Sequence, residues 1–189
     1  MTEQQKYWFA ARTRDKQEFT VRKSLDRLKS EEHLDLDYYL PTRFVISQLK
    51  YRRKRSEVPV IRNLVFVHST KQTACDISNI YNVPLFYMKD LSTHSMLVVP
   101  DKQMESFIKI ASQYEENTIY YKPEEIDIRK GTHICIYGGK FNGVKGVFMR
   151  VKGKRRRRVV VMLEGIMGIS VEVHPDLIEV INDSDCDKF

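Results

Sequence analysis

Two clusters of cationic side chains carry the most evident chemistry in this sequence. Lys50-Tyr51-Arg52-Arg53-Lys54-Arg55 holds five basic residues in six, and Lys152-Gly153-Lys154-Arg155-Arg156-Arg157-Arg158 holds six in seven. Ammonium and guanidinium groups at this density suit the phosphate backbone of a nucleic acid. Arginine adds a planar fork that can grip two phosphate oxygens at once. Tyr51 is the one aromatic interleaved in either run. Backbone contact is therefore expected ahead of stacking on bases. A second reading stays open for both runs: they only keep two turn tips solvated. A net charge of +7 over 189 residues fits a polyanionic partner without proving one.

Other chemistry finds little support. His33, His68, His94, His133 and His174 stand singly, none at the spacing of a metal-ligand pair. Cys75, Cys135 and Cys186 are odd in number, far apart and without a Cys-x-x-Cys. That argues against a disulfide framework or a zinc site and for a reducing cytosol. No nucleophile elbow, phosphate-binding loop or dinucleotide fingerprint occurs. Gly138-Gly139-Lys140 imitates a phosphate cradle, but it reads as a strand-to-strand turn and not as the start of a helix. An enzyme is not expected, nor a metal or cofactor. The first residues lack the apolar stretch of a signal peptide, and no run approaches the roughly 18 apolar residues of a membrane span. The expectation is a cytoplasmic monomer with no membrane contact.

The elements that position the two runs follow from periodicity. Residues 7–12 read as a strand, with Trp8 and Ala10 on one face and Phe9 and Ala11 on the other. Asp15 is the expected N-cap of a helix over 16–29, with Glu18 completing a capping box. Val21, Leu25 and Leu28 form its apolar stripe, widened by Phe19. A strand over 38–49 contains Pro41, which implies an edge or a bend. Residues 58–61 lead into another strand over 64–67. The first basic run therefore belongs at or near the tip of a hairpin. A short helix over 73–81, strands over 83–88 and 95–99, and a helix opening at Asp101 follow. Met104, Phe107, Ile108, Ala111 and Tyr114 give that helix its stripe. The order describes an α+β sandwich over 1–114, one sheet with helices packed on a face.

Residues 115–127 are polar, acidic and aperiodic, and read as a linker. Beyond it the pattern is all-β over 128–181. Ile134 and Ile136 alternate with Cys135 and Tyr137, Gly138-Gly139 breaks the strand, and Asn142-Gly143 marks a sharp turn. Gly146 within the next strand suggests a bulge or corner. Strands over 159–163, 169–173 and 177–181 complete the set, with the second basic run between two of them. Residues 182–189 read as a frayed tail.

The stretch 130–146, with Gly131, Gly139, Gly143 and Gly146 at its turns, resembles the KOW motif. That motif implies a five-stranded SH3-like barrel, found in ribosomal proteins and in NusG-type transcription factors. The first half points to the second class. An aromatic strand, an amphipathic helix, a basic hairpin and Pro59-Val60-Ile61-Arg62-Asn63-Leu64-Val65-Phe66-Val67 resemble the NusG N-terminal domain. Asn63-Leu64-Val65-Phe66-Val67 and Gly138-Gly139-Lys140-Phe141-Asn142-Gly143 look most like the UpxY type, paralogues associated with capsular polysaccharide operons.

This resemblance implies an antitermination and elongation factor that grips the clamp region of the largest RNA polymerase subunits. The apolar positions it carries over are Phe9, Ile61, Leu64, Phe66 and Phe86. Some must be core, because neighbours on a strand face opposite sides. It also implies that Lys50, Arg52, Arg53, Lys54 and Arg55 lie near DNA of the elongation complex. Lys152, Lys154, Arg155, Arg156, Arg157 and Arg158 are candidate contacts to DNA or nascent RNA. The family's usual Phe-Pro-Gly-Tyr is Ile61-Arg62-Asn63-Leu64 here, which makes the polymerase contact aliphatic. Its Ile-Phe-Gly-Arg, used for Rho and the ribosome, aligns with Glu164-Gly165-Ile166-Met167. The phenyl and guanidinium are gone, which argues against Rho recruitment. A KOW-containing, ribosome-associated or RNA-binding protein is the alternative class. Valine-rich strands and turn glycines favour a permanent β structure over a helical one in the second half.

Overall fold

The computed structural model describes residues 5–48, 50–113, 118–163 and 165–181. The chain divides into two compact units, Met1–Val98 and Val99–Phe189. Three helices are interspersed among strands that pair in antiparallel sheets, the mixed helix-and-sheet class expected.

The first unit contains β1 (Tyr7–Thr13), α1 (Glu18–Ser30), β2 (Asp37–Tyr39), β3 (Thr42–Gln48), β4 (Arg53–Pro59), β5 (Leu64–Ser69), α2 (Lys71–Asn79), β6 (Leu85–Tyr87) and β7 (Val98–Val99). The main sheet runs β2-β5-β1-β6, with β7 also paired to β1. Its helix-side core joins Ala11, Val65, Val67 and Leu85 to Val21, Leu25 and Leu28 of α1 and Ile77 of α2. The stripe Val21, Leu25, Leu28 is wholly buried, as its spacing predicts.

The expected cap is not formed. Gln17 occupies the N-cap of α1 without a side-chain bond. Glu18 is buried, and its carboxylate accepts the backbone N–H of Asn63 at 2.8 Å. A buried carboxylate needs a donor, and the left-handed Asn63 (φ 62°) turns its amide to supply one. Pro41 separates β2 from β3, so the long strand expected over 38–49 is two strands in different sheets; Leu49 lies outside the described residues.

The second unit contains α3 (Asp101–Ser112), β8 (Ile119–Tyr121), β9 (Thr132–Ile136), β10 (Lys145–Arg150), β11 (Arg157–Leu163), β12 (Met167–Val171) and β13 (Ile178–Val180). All its strands join one antiparallel sheet in the order β13-β9-β10-β11-β12-β8. No helix occurs among the described residues of 132–180, apart from a single 3-10 turn at Pro175–Leu177.

Two features correct the expected division of the chain. Part of the expected linker is β8, which pairs with β12 through Gly168–Tyr121, Ile169–Tyr120 and Ser170–Ile119. The third helix packs on β10, β11 and β12, within the second unit and not the first. This explains why Val159, Val160 and Val161 are buried in succession. A strand with one dry face alternates; consecutive burial needs cover on both. Met104, Phe107 and Ile110 of α3 have no exposed surface. Ile108 and Ala111 are only half-buried, and Ile110 takes the place expected of them. Tyr114 and the tail 182–189 lie outside the described residues. Asp101 is the first residue of α3 and Pro100 its N-cap, so the carboxylate meets the helix dipole without capping it.

Gly146 is neither a bulge nor a corner. It pairs in regular register with Ile134, and a Cβ there would lie 2.7 Å from the carbonyl oxygen of Val160. Close approach of two backbones is the reason for the glycine. Gly131 is likewise crowded, by Val147 Cγ1. Gly139 and Gly143 have positive φ in the turn between β9 and β10, where Asn142 Oδ1 accepts the Gly138 N–H at 2.7 Å.

Candidate nucleic-acid interface

The first basic run lies only in part at the tip of a two-stranded sheet: Lys50 and Arg52 belong to the turn, whereas Arg53, Lys54 and Arg55 open strand β4. β3 and β4 pair along their whole length, from Thr42–Pro59 to Gln48–Arg53, and pair with no other strand among the described residues. A lone hairpin is marginally stable in water and needs an anchor. Arg22 of α1 provides it, donating to both carboxylate oxygens of Glu57 at 2.9 and 3.2 Å. Thr42 donates a third bond to Glu57, at 2.8 Å. The Arg22 bonds, then that of Thr42, hold the Glu57 carboxyl below its ordinary range.

Antiparallel register sorts the hairpin's side chains into two faces. Phe44, Ile46, Arg53 and Arg55 share the face that bears Glu57. The Arg55 guanidinium lies 4.0 Å from the centre of the Phe44 ring. Phe44 is 49% exposed and Ile46 67%, unusual values for such side chains on a soluble hairpin. At the tip, Lys50 lies over Tyr51, which is 88% exposed. Lys50, Arg52, Arg53, Lys54 and Arg55 are all exposed, and none forms an ion pair among the described residues. Phe44 and Ile46 were missed as site residues because they precede the run; the signal was the pairing, which brings them across from it.

The second run divides by environment. Lys152, Lys154, Arg155, Arg156 and Arg157 are exposed at the β10–β11 turn and the start of β11. Arg156 pairs with Glu172 at 2.6 Å. Arg158 is 4% exposed and is not a surface contact. Its Nε donates to Ser170 Oγ at 2.8 Å and its Nη2 to the Ser170 carbonyl at 3.1 Å. A charge this deep must be paired, and these bonds commit it to the sheet.

The five candidate polymerase contacts do not form one exposed patch. Phe9, Leu64 and Phe66 are core residues, exposed by 2% or less. Ile61 is half-buried, and Phe86 is 54% exposed. Phe86 pairs with Arg12, which pairs on its other side with Leu64, so the three lie in one row across the sheet. No helix among the described residues is long and apolar enough to cross a membrane. No group of three His, Cys, Asp or Glu among them could hold a metal ion.

A sheet-and-helix unit bearing an exposed basic hairpin is thus followed along the chain by a unit built on a single antiparallel sheet. The family model described as transcription termination factor nusG matches residues 6–108, more than half of the chain. The chain belongs to the NusG family of transcription factors. A structure titled for domain interaction in Thermotoga maritima NusG is similar at 21% identity, covering 94% of this chain and 98% of that one, with a TM-score of 0.47. Two conformations of an MjSpt4:Spt5 complex are similar at 18% identity and a TM-score of 0.31, each covering 92% of this chain and 96% or 97% of the other. No curated protein is a significant match.

Proposed function

We propose that this protein binds RNA polymerase through its first unit and promotes processive transcription of particular operons, those for polysaccharide biosynthesis foremost. The observation that carries this reading is the β3–β4 hairpin: five exposed cations, without ion pairs among the described residues, on a domain of the NusG family. In this reading the hairpin lies against DNA at the edge of the elongation complex, and its guanidiniums grip phosphates. Polymerase contact centres on Phe86 and Ile61, the two accessible members of the family surface. Leu64 and Phe66, buried on the face of the sheet that bears Phe86, then act indirectly, by fixing the strands that present it. The clamp region of the largest subunits is the partner.

Antitermination is favoured over termination by the β11–β12 turn. Gly165 and Ile166 form it, and Met167 is buried in β12; Glu164 lies outside the described residues. The turn offers no phenyl or guanidinium for Rho. Taken as a KOW domain, the stretch 128–181 is a permanent β structure free to meet nucleic acid or the ribosome, and the protein works in the cytoplasm. Affinity capture from cell extract with the full chain tests this. RNA polymerase is expected to co-purify. Ribosomal subunits without polymerase would replace the reading with a ribosome-associated one.

A further inference from the structure

At the base of the second basic hairpin lies a cleft of about 640 Å³, lined by Phe148, Arg156, Arg157, Glu172, Val173, His174 and Pro175. Strand register builds it. Phe148 pairs with Val159, and Arg157 is two residues along the same face, so the two meet diagonally. The guanidinium of Arg157 lies 5.9 Å from the centre of the Phe148 ring. Val159 pairs in turn with Val171, which brings Val173 and Pro175 to the other wall. The one carboxylate in the lining, Glu172, is taken by Arg156 at 2.6 Å and approached by Arg158 at 3.9 Å. Lys152, Lys154, Arg155 and Arg157 form no ion pair among the described residues. A partly aromatic cleft of mixed polarity thus holds one cation, Arg157, without an ion pair among the described residues, and the adjoining turn carries three more, Lys152, Lys154 and Arg155, which line a depression of their own.

We propose that this cleft takes one unstacked base of a single-stranded nucleic acid, with the adjoining phosphates on Lys152, Lys154 and Arg155. This deepens the proposed function and rests on its assignment of the second unit to nucleic acid. Each component has a counterpart in the ligand. A base offers a flat face to the Phe148 ring and to the Arg157 guanidinium, the pairing that single-strand binders use. The cleft falls within the size of small-ligand pockets. Duplex DNA keeps its bases stacked and brings only phosphates, which leaves Phe148, Val173 and Pro175 uncovered. An acidic peptide satisfies the cations but brings no planar group for the ring. Phe148 lies four residues before the basic run begins, and only the pairing of β10 with β11 reveals it as part of the site.

The test measures fluorescence anisotropy of the full chain with oligo-dT and oligo-rU of about 12 nucleotides, and with a duplex of the same length. The background carries Arg52→Glu, Arg53→Glu and Arg55→Glu, so that the first hairpin does not contribute. Phe148→Leu keeps an apolar side chain and removes the ring. Single-strand affinity is expected to fall about 5- to 100-fold, the range for losing one base–aromatic stack. Duplex affinity and the salt slope stay unchanged, and Phe148→Tyr retains single-strand binding. Lys154→Glu with Arg155→Glu weakens every probe and flattens the slope. The ratio of oligo-dT to oligo-rU affinity tells which strand the cleft prefers. Full single-strand affinity in Phe148→Leu, beside a loss in the lysine–arginine variant, would overturn the base site and leave phosphate contact intact. No loss in either would remove the nucleic-acid assignment of the second unit itself. Tighter binding of an aspartate-rich peptide, sensitive to Phe148→Leu, would give the cleft to a protein partner and overturn the inference.

Discussion

Single side chains here do work that their type alone does not announce. Glu57 is a surface-range carboxylate that ties a hairpin to a helix. Its folded pKa is depressed, so its contribution is complete above the ordinary carboxylate range and fades as pH falls through the folded value. Glu57→Gln should cost about 0.5–1 kcal/mol at neutral pH, the upper end for a partly exposed bidentate pair. Urea denaturation should find the two proteins converging below about pH 4. Arg158 and Arg155 make a sharper contrast, three residues apart in one basic run. Arg158→Ala removes two charge-assisted hydrogen bonds to Ser170 and empties a buried site, and should cost about 2 kcal/mol. Arg155→Ala should fall within about 0.5 kcal/mol of the parent. Equal losses would refute the division of the run. Gly146→Ala should cost roughly 1–3 kcal/mol because a backbone oxygen must move.

At the scale of elements, the β3–β4 hairpin has no buried residue along either strand, and it depends on the Arg22–Glu57 anchor for its stability. Hydrogen exchange should show β3 and β4 opening more readily than β1 and β5, and more so in Arg22→Ala. Protection equal to that of β1 would deny the role of the Arg22–Glu57 anchor. Much of this layer was legible in the sequence. Long periodic segments such as α1 declare themselves, and Pro41 with the basic run marked the hairpin. The misses share a physical cause, which is that tertiary partners decide them. Three residues, 119–121, carry too little pattern to announce a strand, and only β12 makes them one. The stripe of α3 predicts a buried face without saying which sheet buries it. Alternation along β5 could not separate Leu64 and Phe66 from surface residues, because both faces of that strand are dry. An arginine at the head of a valine run reads as exposed; Ser170 across the ladder made Arg158 a buried one.

For the molecule as a whole, membership of the NusG family and the exposed basic hairpin are the grounds on which an elongating RNA polymerase is proposed as the partner. Charge on the hairpin and apolar surface at Phe86 should contribute separably. Phe86→Ala is expected to weaken polymerase binding roughly 5- to 30-fold, a typical loss for an exposed aromatic anchor, with no change in salt dependence. Reversal of Arg52, Arg53 and Arg55 should act through salt dependence instead. The decisive measurement is a titration of labelled full chain into a reconstituted elongation complex at several salt concentrations. Neutralising about four phosphates predicts a slope of log affinity on log salt near −3 to −4, flattened by about three in the triple variant. Absence of saturable binding to the elongation complex, or a slope identical in the two proteins, would contradict the account.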